Sequence, residues 1–248
     1  MPHARAALIA GLGLIGGSIG IALRHAGWRV SYEDPDVTLD EARAAGAADE
    51  IGGRGDVVIL ATPVDVALSS LITHRSSPIT SVCSVMSPLR AAADANGIAF
   101  VAGHPLAGSE RRGLAAARGD LFEGKTWFVD RDEPLVNEII AACGARIERV
   151  TAEEHDRAVA LTSHLPQLLS TALAALAGAH EAERFAGGGL RTFLRLAESD
   201  ATVWMPVLAA NRANIAPYAD ELMRLARAIL DGDAAAFARA QQFVRRLP

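Results

Sequence analysis

The sequence predicts an α/β fold, a doubly wound parallel sheet that is followed by an all-helical domain. Three observations carry this prediction. A strand pattern near the start of the chain runs directly into a glycine-rich turn and then a helix pattern. Strand and helix patterns alternate up to about residue 150, and only helical patterns follow. Such alternation is typical of parallel sheets, because parallel neighbours need a crossover connection that is usually a helix.

The glycine-rich turn has the Gly-x-Gly-x-x-Gly spacing of a dinucleotide-binding fingerprint, and a strand at residues 7–10 precedes it. Gly11 permits a sharp turn, Gly13 leaves room for a pyrophosphate, and Gly16 lets the helix pack on the strand. The N–H groups and positive dipole of the helix start then face the phosphates. This predicts a Rossmann-type fold, although a glycine-rich turn without a ligand is the alternative. The expected cofactor contacts in this segment are Gly11, Gly13, Leu14, Ile15 and Gly16.

Further strand and helix patterns continue the alternation. The uninterrupted apolar run at residues 56–61 is typical of a strand that is buried on both faces. The other expected strands are at residues 29–32, 79–85, 97–101, 126–129 and 145–150, and the expected helices are at residues 39–45, 64–72 and 134–143.

The composition changes after Val150. Residues 151–154 have the spacing of a capping box, and helical patterns follow, with breaks expected at residues 187–189 and near Pro217. We therefore predict a dinucleotide-binding domain at residues 1–150 and an all-helical substrate and dimerisation domain at residues 151–248. Several apolar helix faces in the second domain favour a homodimer, with an intramolecular bundle as the alternative.

Composition also argues against several functional classes. The net charge is −5 and opposite charges are interspersed. The chain has no block of basic residues of the kind that would predict binding to nucleic acid or to an anionic membrane. The apolar runs are too short to cross a bilayer, and the first residues lack the pattern of a secretory signal. Cys83 and Cys143 lie far apart and offer no metal-binding spacing. We expect a cytoplasmic protein without a metal site.

An acidic residue stands where the second strand is expected to end. Asp34 lies about 20 residues beyond the glycines, where a carboxylate accepts hydrogen bonds from the adenosine ribose and repels a 2′-phosphate. This favours NAD over NADP. Glu33 takes the role if the strand end shifts by one residue, and a simple turn former before Pro35 is the alternative for Asp34. Thr62 and Pro63 end the central strand at the sheet edge where ligands bind.

His104 is the candidate catalytic base of the first half. It follows a strand, between Gly103 and Pro105, and a histidine can take a proton from a hydroxyl near neutral pH. Ser84 ends the preceding strand and is a candidate to hydrogen-bond the other ring nitrogen and fix the tautomer. The alternative for His104 is a loop histidine that bonds a backbone carbonyl.

Polar residues in the helical half predict a substrate pocket. Ser163 and His164 precede Pro166, which bends a helix because it frees a carbonyl. Arg191 and Arg195 are four residues apart on one expected helix face, and a guanidinium fork suits a substrate carboxylate. A satisfied core histidine and a solvated basic face are the alternatives.

Taken in order, these pieces resemble the prephenate/arogenate dehydrogenase family over almost the full chain. Any one segment is modest, but their order and spacing together are specific. The segments that carry the resemblance are Gly11-Leu12-Gly13-Leu14-Ile15-Gly16-Gly17-Ser18, Ala61-Thr62-Pro63-Val64, Gly103-His104-Pro105-Leu106-Ala107-Gly108-Ser109-Glu110, Leu121-Phe122-Glu123-Gly124, Glu154-His155-Asp156-Arg157-Ala158-Val159-Ala160, Ser163-His164-Leu165-Pro166 and Arg195-Leu196-Ala197-Glu198-Ser199-Asp200, with Trp204 and Asn211.

The resemblance implies NAD(P)-dependent oxidative decarboxylation of a cyclohexadienol in tyrosine biosynthesis. Hydride leaves the carbinol carbon, the histidine matched by His104 draws off the hydroxyl proton, and carbon dioxide departs as the ring becomes aromatic. Ser84 matches the serine paired with that histidine, Arg195 matches an arginine that binds the substrate carboxylate, and His164 matches a substrate-pocket histidine. The resemblance also implies an intertwined dimer formed by the helical domain.

The segment around Ser84 departs from the family pattern Asp-x-Gly-Ser-x-Lys. It reads Ser81-Val82-Cys83-Ser84-Val85-Met86, so the acid, the glycine and the lysine are all replaced. Two other interpretations stay open. A β-hydroxyacid dehydrogenase or imine reductase usually has Met where Ile15 stands and a lysine in the helical domain, which has none here. A non-catalytic dinucleotide-binding sensor of the same fold is the third.

Overall fold

The computed structural model describes residues 5–75, 77–108 and 111–247. Ser109 and Glu110, the last residues of the segment that contains His104, lie outside the described residues. The chain forms two compact units. The first contains the described residues up to Asp156 together with Ser199–Ala210, and the second contains Arg157–Glu198 and the residues from Asn211 onward. The division at residue 150 stays a prediction about the domains.

A six-stranded parallel sheet forms the centre of the first unit. Its strand order is β3-β2-β1-β4-β5-β6, the doubly wound order that the sequence predicts. Every residue of β1 and β4 is buried, as expected for strands covered on both faces. The order reverses between β1 and β4, so the ligand crevice of this fold lies at their carboxyl ends. The strands are β1 Ala6–Ala10, β2 Arg29–Glu33, β3 Glu50–Ile51, β4 Val57–Leu60, β5 Ile79–Ser81 and β6 Phe100–Val101.

Helices cover both faces of this sheet. Alternate residues of β1 point to opposite faces, so Ile9 belongs to one apolar cluster and Leu8 to the other. The first cluster contains Leu23 of the helix after the glycines, and the second contains Leu71 and Leu89 from two later helices. The helices are α1 Leu14–His25, α2 Leu39–Ala44, α3 Val64–Thr73, α4 Ser87–Ala95 and α5 Pro134–Ala142, and a 3₁₀ turn lies at Leu114–Ala116.

A second, three-stranded sheet contains the two late strands that the sequence predicts. It consists of β7 Gly103–Pro105, β8 Thr126–Val129 and β9 Arg146–Arg149, with β7 antiparallel and β9 parallel to β8. The prediction that His104 follows the end of a strand is therefore wrong, because His104 lies within β7 and pairs with Phe128. The chain leaves the main sheet at Ala102, whose N–H donates to the Asp130 carboxylate at 2.9 Å. Asp130 N–H donates in turn to Ala102 O at 3.1 Å.

Helices follow β9, and the described part of the chain contains no strand beyond it. A π-helical turn at Ala160–His164 joins two helices just before Pro166, so the missing N–H of proline falls where the backbone has already widened. Gly187 caps α8 at the predicted glycine break. The break predicted near Pro217 is wrong, since Pro217 lies inside α10 and costs that helix a single backbone hydrogen bond. The helices are α6 Ala152–Val159, α7 Leu165–Ala179, α8 Gly188–Leu194, α9 Ala201–Ala210, α10 Arg212–Leu230 and α11 Ala234–Val244, with 3₁₀ turns at Glu183–Phe185 and Arg195–Glu198.

One helical stretch, Ala152–Ala179, is long and apolar enough to cross a membrane by length and composition, contrary to the expectation from sequence. Its best window has a mean hydropathy of 1.3, and 33% of that window is buried inside the protein. Gln167 in this stretch is buried and its amide donates to Leu196 O at 2.8 Å. Burial of a hydrogen-bonded amide is what a core helix shows.

Candidate active site

The glycine turn has the shape that a pyrophosphate site needs. Gly11 has φ +92°, a conformation that L side chains rarely adopt. A Cβ on Gly16 would lie 2.0 Å from Gly11 O, so only glycine permits this approach of α1 to the turn. A Cβ on Gly13 would meet nothing within 4 Å. Gly13 is also the N-cap of α1, which has no side-chain cap and no acidic residue in its first turn. Open space beside an uncapped helix start fits an anionic ligand.

Thr62 and Pro63 follow β4 on the other side of the crevice. Thr62 Cγ2 would lie 2.9 Å from a Cβ on Gly11, so the side chain stands directly beside the glycine turn. Its hydroxyl oxygen is buried and has no hydrogen-bond partner among the described residues. Pro63 is exposed and is the N-cap of α3. A buried hydroxyl without a partner beside this turn fits the polar part of a bound dinucleotide.

Two carboxylates lie at the end of β2. Glu33 is the last residue of the strand, is half-exposed, and lies 3.2 Å from His74 Nε2. Asp34 follows the strand, and its carboxylate accepts from Leu12 N–H at 2.8 Å and from Asp36 N–H at 2.9 Å. The hydrogen bond from Leu12 thus holds the Asp34 side chain against the glycine turn, next to the expected adenosine site. Its role toward the ribose stays a prediction, and Glu33 stays the alternative.

His104 is joined to a second histidine that the sequence analysis gave no role. His104 Nδ1 lies 2.9 Å from His155 Nε2, and the two rings meet edge to face with centroids 5.0 Å apart. His155 is buried on the first turn of α6, and its ring also packs against Phe128 of β8. His104 is half-buried. The sequence places both histidines in the segments that resemble the family, but only the tertiary fold brings them into contact.

Asp156 continues this chain of polar side chains into the protein. His155 Nδ1 lies 2.9 Å from Asp156 Oδ1, and Asp156 also accepts from Met86 N–H and Ser87 N–H, both at 2.8 Å. The carboxylate therefore caps the start of α4. Burial raises the pKa of Asp156, but the hydrogen bonds from His155, Met86 and Ser87 outweigh it and hold the pKa below its usual value. Asp156 is thus a buried, ionised acceptor.

Ser84 lies in the loop between β5 and α4. Its side chain is half-buried and makes no hydrogen bond to the described residues, so its pairing with His104 stays a prediction. The strand predicted at residues 79–85 is shorter and ends at Ser81, and the residues after Val82 form this loop. Cys83 is buried, and burial raises the pKa of its thiol to about 12, so the thiol is inert. Met86, which replaces the family's lysine, is fully buried in an apolar cluster.

His164 is fully buried inside the second unit. Asn211 Nδ2 lies 3.0 Å from His164 Nδ1, and Asn211 Oδ1 accepts from Asn214 Nδ2 at 2.8 Å. Asn211 thus links His164 to Asn214 in a chain of polar side chains. Ser163 is exposed on the adjacent position of the π turn. Of the two polar residues predicted to line a pocket beside Pro166, His164 is therefore buried and Ser163 is exposed.

Arg195 lies at the start of a 3₁₀ turn and is exposed. Arg195 directly follows α8 and keeps right-handed helical dihedral angles (φ −51°, ψ −38°), so its sharing a helix face with Arg191 stays a prediction. Arg191 is the only one of the two within α8. Ser84 and His104 thus belong to the first unit, and Ser163, His164 and Arg195 belong to the second.

Two family models match the chain. The model described as the nucleotide-binding domain of prephenate dehydrogenase matches residues 19–149, and the model described as its dimerization domain matches residues 151–243. The probable prephenate dehydrogenase NovF of Streptomyces niveus is 37% identical over 243 residues, which cover 90% of this chain and 66% of that protein. The prephenate dehydrogenase of Bacillus subtilis is 32% identical over 252 residues, which cover 88% and 67%. The chain spans about two thirds of the length of these relatives.

A solved structure has the same fold. It is the prephenate dehydrogenase from Aquifex aeolicus in complex with hydroxyphenyl propionate and NAD⁺, which superposes with a TM-score of 0.83. The alignment covers 97% of this chain and 97% of that chain at 24% identity. The likeness supports the two-part architecture, a parallel α/β sheet followed by helices.

Proposed function

The chain belongs to the prephenate dehydrogenase family, and on that premise we propose that it oxidatively decarboxylates prephenate or arogenate in the biosynthesis of tyrosine. The observation that carries the proposal is His104, which is half-exposed on β7 and has its Nδ1 joined to a buried histidine and carboxylate. A histidine held in this way can present its other nitrogen to a substrate hydroxyl.

The proposed chemistry requires one proton acceptor and a fixed substrate. NAD⁺, when bound, accepts the hydride that leaves the carbinol carbon. His104 Nε2 takes the hydroxyl proton as the carbonyl forms. When the ring carboxylate leaves as carbon dioxide, its electron pair makes the ring aromatic, and His104 returns the proton to the oxygen. Aromatisation drives the second step, so the protein mainly orients the substrate and holds charge.

The residues of the first unit that we propose to hold NAD are the first-turn N–H groups of α1, Asp34 and Thr62. The fit rests on the open space at Gly13 and on the unpartnered Thr62 hydroxyl among the described residues. A carboxylate at the end of β2 favours NAD over NADP, because it repels a 2′-phosphate. Pro63, Leu14 and Ile15 line the same edge of the sheet by position.

The residues of the second unit that we propose to bind substrate are His164, Ser163 and Arg195. Arg195 is exposed and suits a carboxylate, as its match in the family implies. His164 is held in one orientation by Asn211. We also propose that the helical unit forms a homodimer and that the protein is cytoplasmic, without a nucleic-acid or membrane partner.

A turnover assay tests the proposed function. Purified protein is incubated with NAD⁺ and either prephenate or arogenate, and both NADH formation and the aromatic product are measured. Turnover of one substrate, lost in His104→Asn, is the expected result. If the protein binds NAD⁺ tightly but turns over neither substrate, a dinucleotide-binding sensor accounts for the fold better than an enzyme does.

A further inference from the structure

We propose that His155 and Asp156 are positioning residues that fix the tautomer of His104, with the proton on Nδ1 and the lone pair on Nε2. The inference rests on the proposed function for its catalytic meaning, but the tautomer itself is a property of the ligand-free protein. It begins with the three side chains that follow one another from β7 into the interior, His104, His155 and Asp156.

The direction of the hydrogen bonds is set at the Asp156 end. The Asp156 carboxylate accepts hydrogen bonds from the backbone N–H groups of Met86 and Ser87, and a backbone N–H can only donate. Its carboxylate is buried and ionised, so it is an acceptor toward His155 as well. The bond between His155 Nδ1 and Asp156 Oδ1 therefore requires a proton on His155 Nδ1.

The remaining steps follow from the chemistry of a neutral imidazole, which carries one proton. With that proton on Nδ1, His155 Nε2 is an acceptor. The 2.9 Å contact with His104 Nδ1 then requires that His104 Nδ1 donates, which leaves the lone pair of the neutral ring on Nε2. A proton acceptor for the substrate hydroxyl needs this form. A carboxylate that fixes the tautomer of a catalytic histidine is known from serine proteases, and here a second histidine stands between the two groups.

Packing holds the intermediate ring in place. His155 is 2% exposed and Asp156 is 1% exposed, so water does not compete for the hydrogen bonds between them. The ring of His155 contacts His104 and Phe128, which are opposite each other on β7 and β8. The small second sheet therefore carries His104 and a ring that packs against His155 of α6.

Nuclear magnetic resonance of the wild-type protein tests the tautomer directly. Long-range ¹H–¹⁵N correlation spectra, recorded above neutral pH without substrate, distinguish a protonated ring nitrogen from a bare one. The chain has seven histidines, and the spectra of His104→Asn and His155→Asn assign the two relevant rings. The expected result is a proton on Nδ1 of both His104 and His155. A proton on Nε2 of His104 overturns the proposal, whatever the activity of the protein.

Two substitutions of His155 separate positioning from a merely structural role. An asparagine amide reaches about as far as Nδ1 of histidine, so His155→Asn keeps a donor for Asp156 and loses contact with His104. A glutamine amide reaches about as far as Nε2, so His155→Gln offers an acceptor to His104. We expect His155→Asn to lower kcat about 10- to 100-fold with little change in KM, a smaller loss than the 10²- to 10⁴-fold typical when the acid–base group itself is removed, because His104 is still present. His155→Gln should recover most of that loss.

Thermal melting and NAD⁺ affinity serve as controls, together with His25→Gln. His25 is an exposed histidine at the end of α1. His25→Gln should therefore leave kcat, KM, the melting temperature and the NAD⁺ affinity unchanged. Equal kcat for His155→Asn and the wild type, with both folded, overturns the proposal. Absence of turnover in the wild type contradicts the proposed function instead, and the tautomer spectra then decide the positioning inference by themselves.

Discussion

At the scale of single residues, His104 and Arg195 have separable roles. We expect His104→Asn to lower kcat about 10²- to 10⁴-fold, because a general base is lost, and to leave the affinity for NAD⁺ nearly unchanged. Arg195→Ala should raise KM more than it lowers kcat, because a carboxylate clamp acts mainly on ground-state binding. Steady-state kinetics with a competent substrate measures both. Wild-type turnover by His104→Asn would reduce the histidine to a structural residue of β7.

The choice between NAD and NADP also rests on single carboxylates. Because Asp34 accepts from Leu12 N–H, Asp34→Ala would loosen the glycine turn and weaken both cofactors. Asp34→Asn keeps an oxygen for that bond and removes the charge. We expect the wild type to bind NAD⁺ more tightly than NADP⁺, and Asp34→Asn to narrow the difference. Calorimetric titration of both cofactors, with Glu33→Gln for comparison, identifies the residue. If only Glu33→Gln narrows the difference in affinity between NAD⁺ and NADP⁺, the carboxylate that selects NAD⁺ is Glu33.

At the scale of elements, the β1–α1 junction makes opposite predictions for two glycines. Gly16→Ala places a Cβ 2.0 Å from a backbone oxygen, so it should destabilise the fold by about 1–3 kcal/mol or more. Gly13→Ala meets nothing within 4 Å and should lower the free energy of unfolding by no more than about 1 kcal/mol, since alanine is a poorer N-cap than glycine. Its methyl group fills the space proposed for the pyrophosphate, so we expect a tenfold or greater loss of NAD⁺ affinity. Urea unfolding measures the stability of both variants, and calorimetric titration measures their affinity for NAD⁺. An unchanged NAD⁺ affinity in Gly13→Ala contradicts the proposed cofactor position.

Met86, in the loop before α4, stands where the family pattern has a lysine. A lysine in place of Met86 would restore one of the three replaced positions, but the Met86 side chain is fully buried among apolar residues. Met86→Lys should therefore destabilise the protein by about 2 kcal/mol or more, since it buries a charge among apolar side chains. Met86→Leu is the matched control and should be nearly neutral. A stable Met86→Lys variant with a lower KM would show instead that this position faces the substrate.

The elements also show what the sequence could predict. The runs in β1 and β4 and the glycine turn are local patterns, and their interpretation is confirmed by the fold. The second sheet depends on the contact of Ala102 with Asp130, which lies 28 residues away, so no local pattern indicates that β7 turns out of the main sheet. The contact of His155 with His104 was missed for the same reason. A buried histidine next to an acid is visible in sequence, but its contact with β7 is tertiary.

At the scale of the whole molecule, the helical half was predicted as one block. In the structure, Ser199–Ala210 groups with the first compact unit, where α9 contacts α3. Ala210 packs against the apolar cluster that contains Leu71 of α3. Apolar helix patterns reveal that a face is buried, but not which neighbour covers it. The sequence therefore predicts which helix or turn carries each proposed substrate residue of the helical half. It does not predict whether these residues line one pocket.

The oligomeric state is the prediction that belongs to the whole chain. Most of the exposed large apolar side chains lie in the second unit, including Phe185 at 74% and Leu230 at 80% exposure. Exposed apolar side chains in this number favour association, and the matching family model is a dimerization domain. We expect light scattering at micromolar concentration to give twice the chain mass of 26.0 kDa.

Substitutions on the two units locate the contact. Leu230→Glu combined with Phe237→Glu, which lie on α10 and α11, should shift the protein toward 26.0 kDa, because each adds a charge to the proposed interface. Ile51→Glu is the control. Ile51 is 61% exposed on β3 of the first unit, so this change should leave the mass unchanged. A wild-type mass of 26.0 kDa would contradict the dimer, and dissociation by Ile51→Glu alone would move the interface to the edge of the sheet.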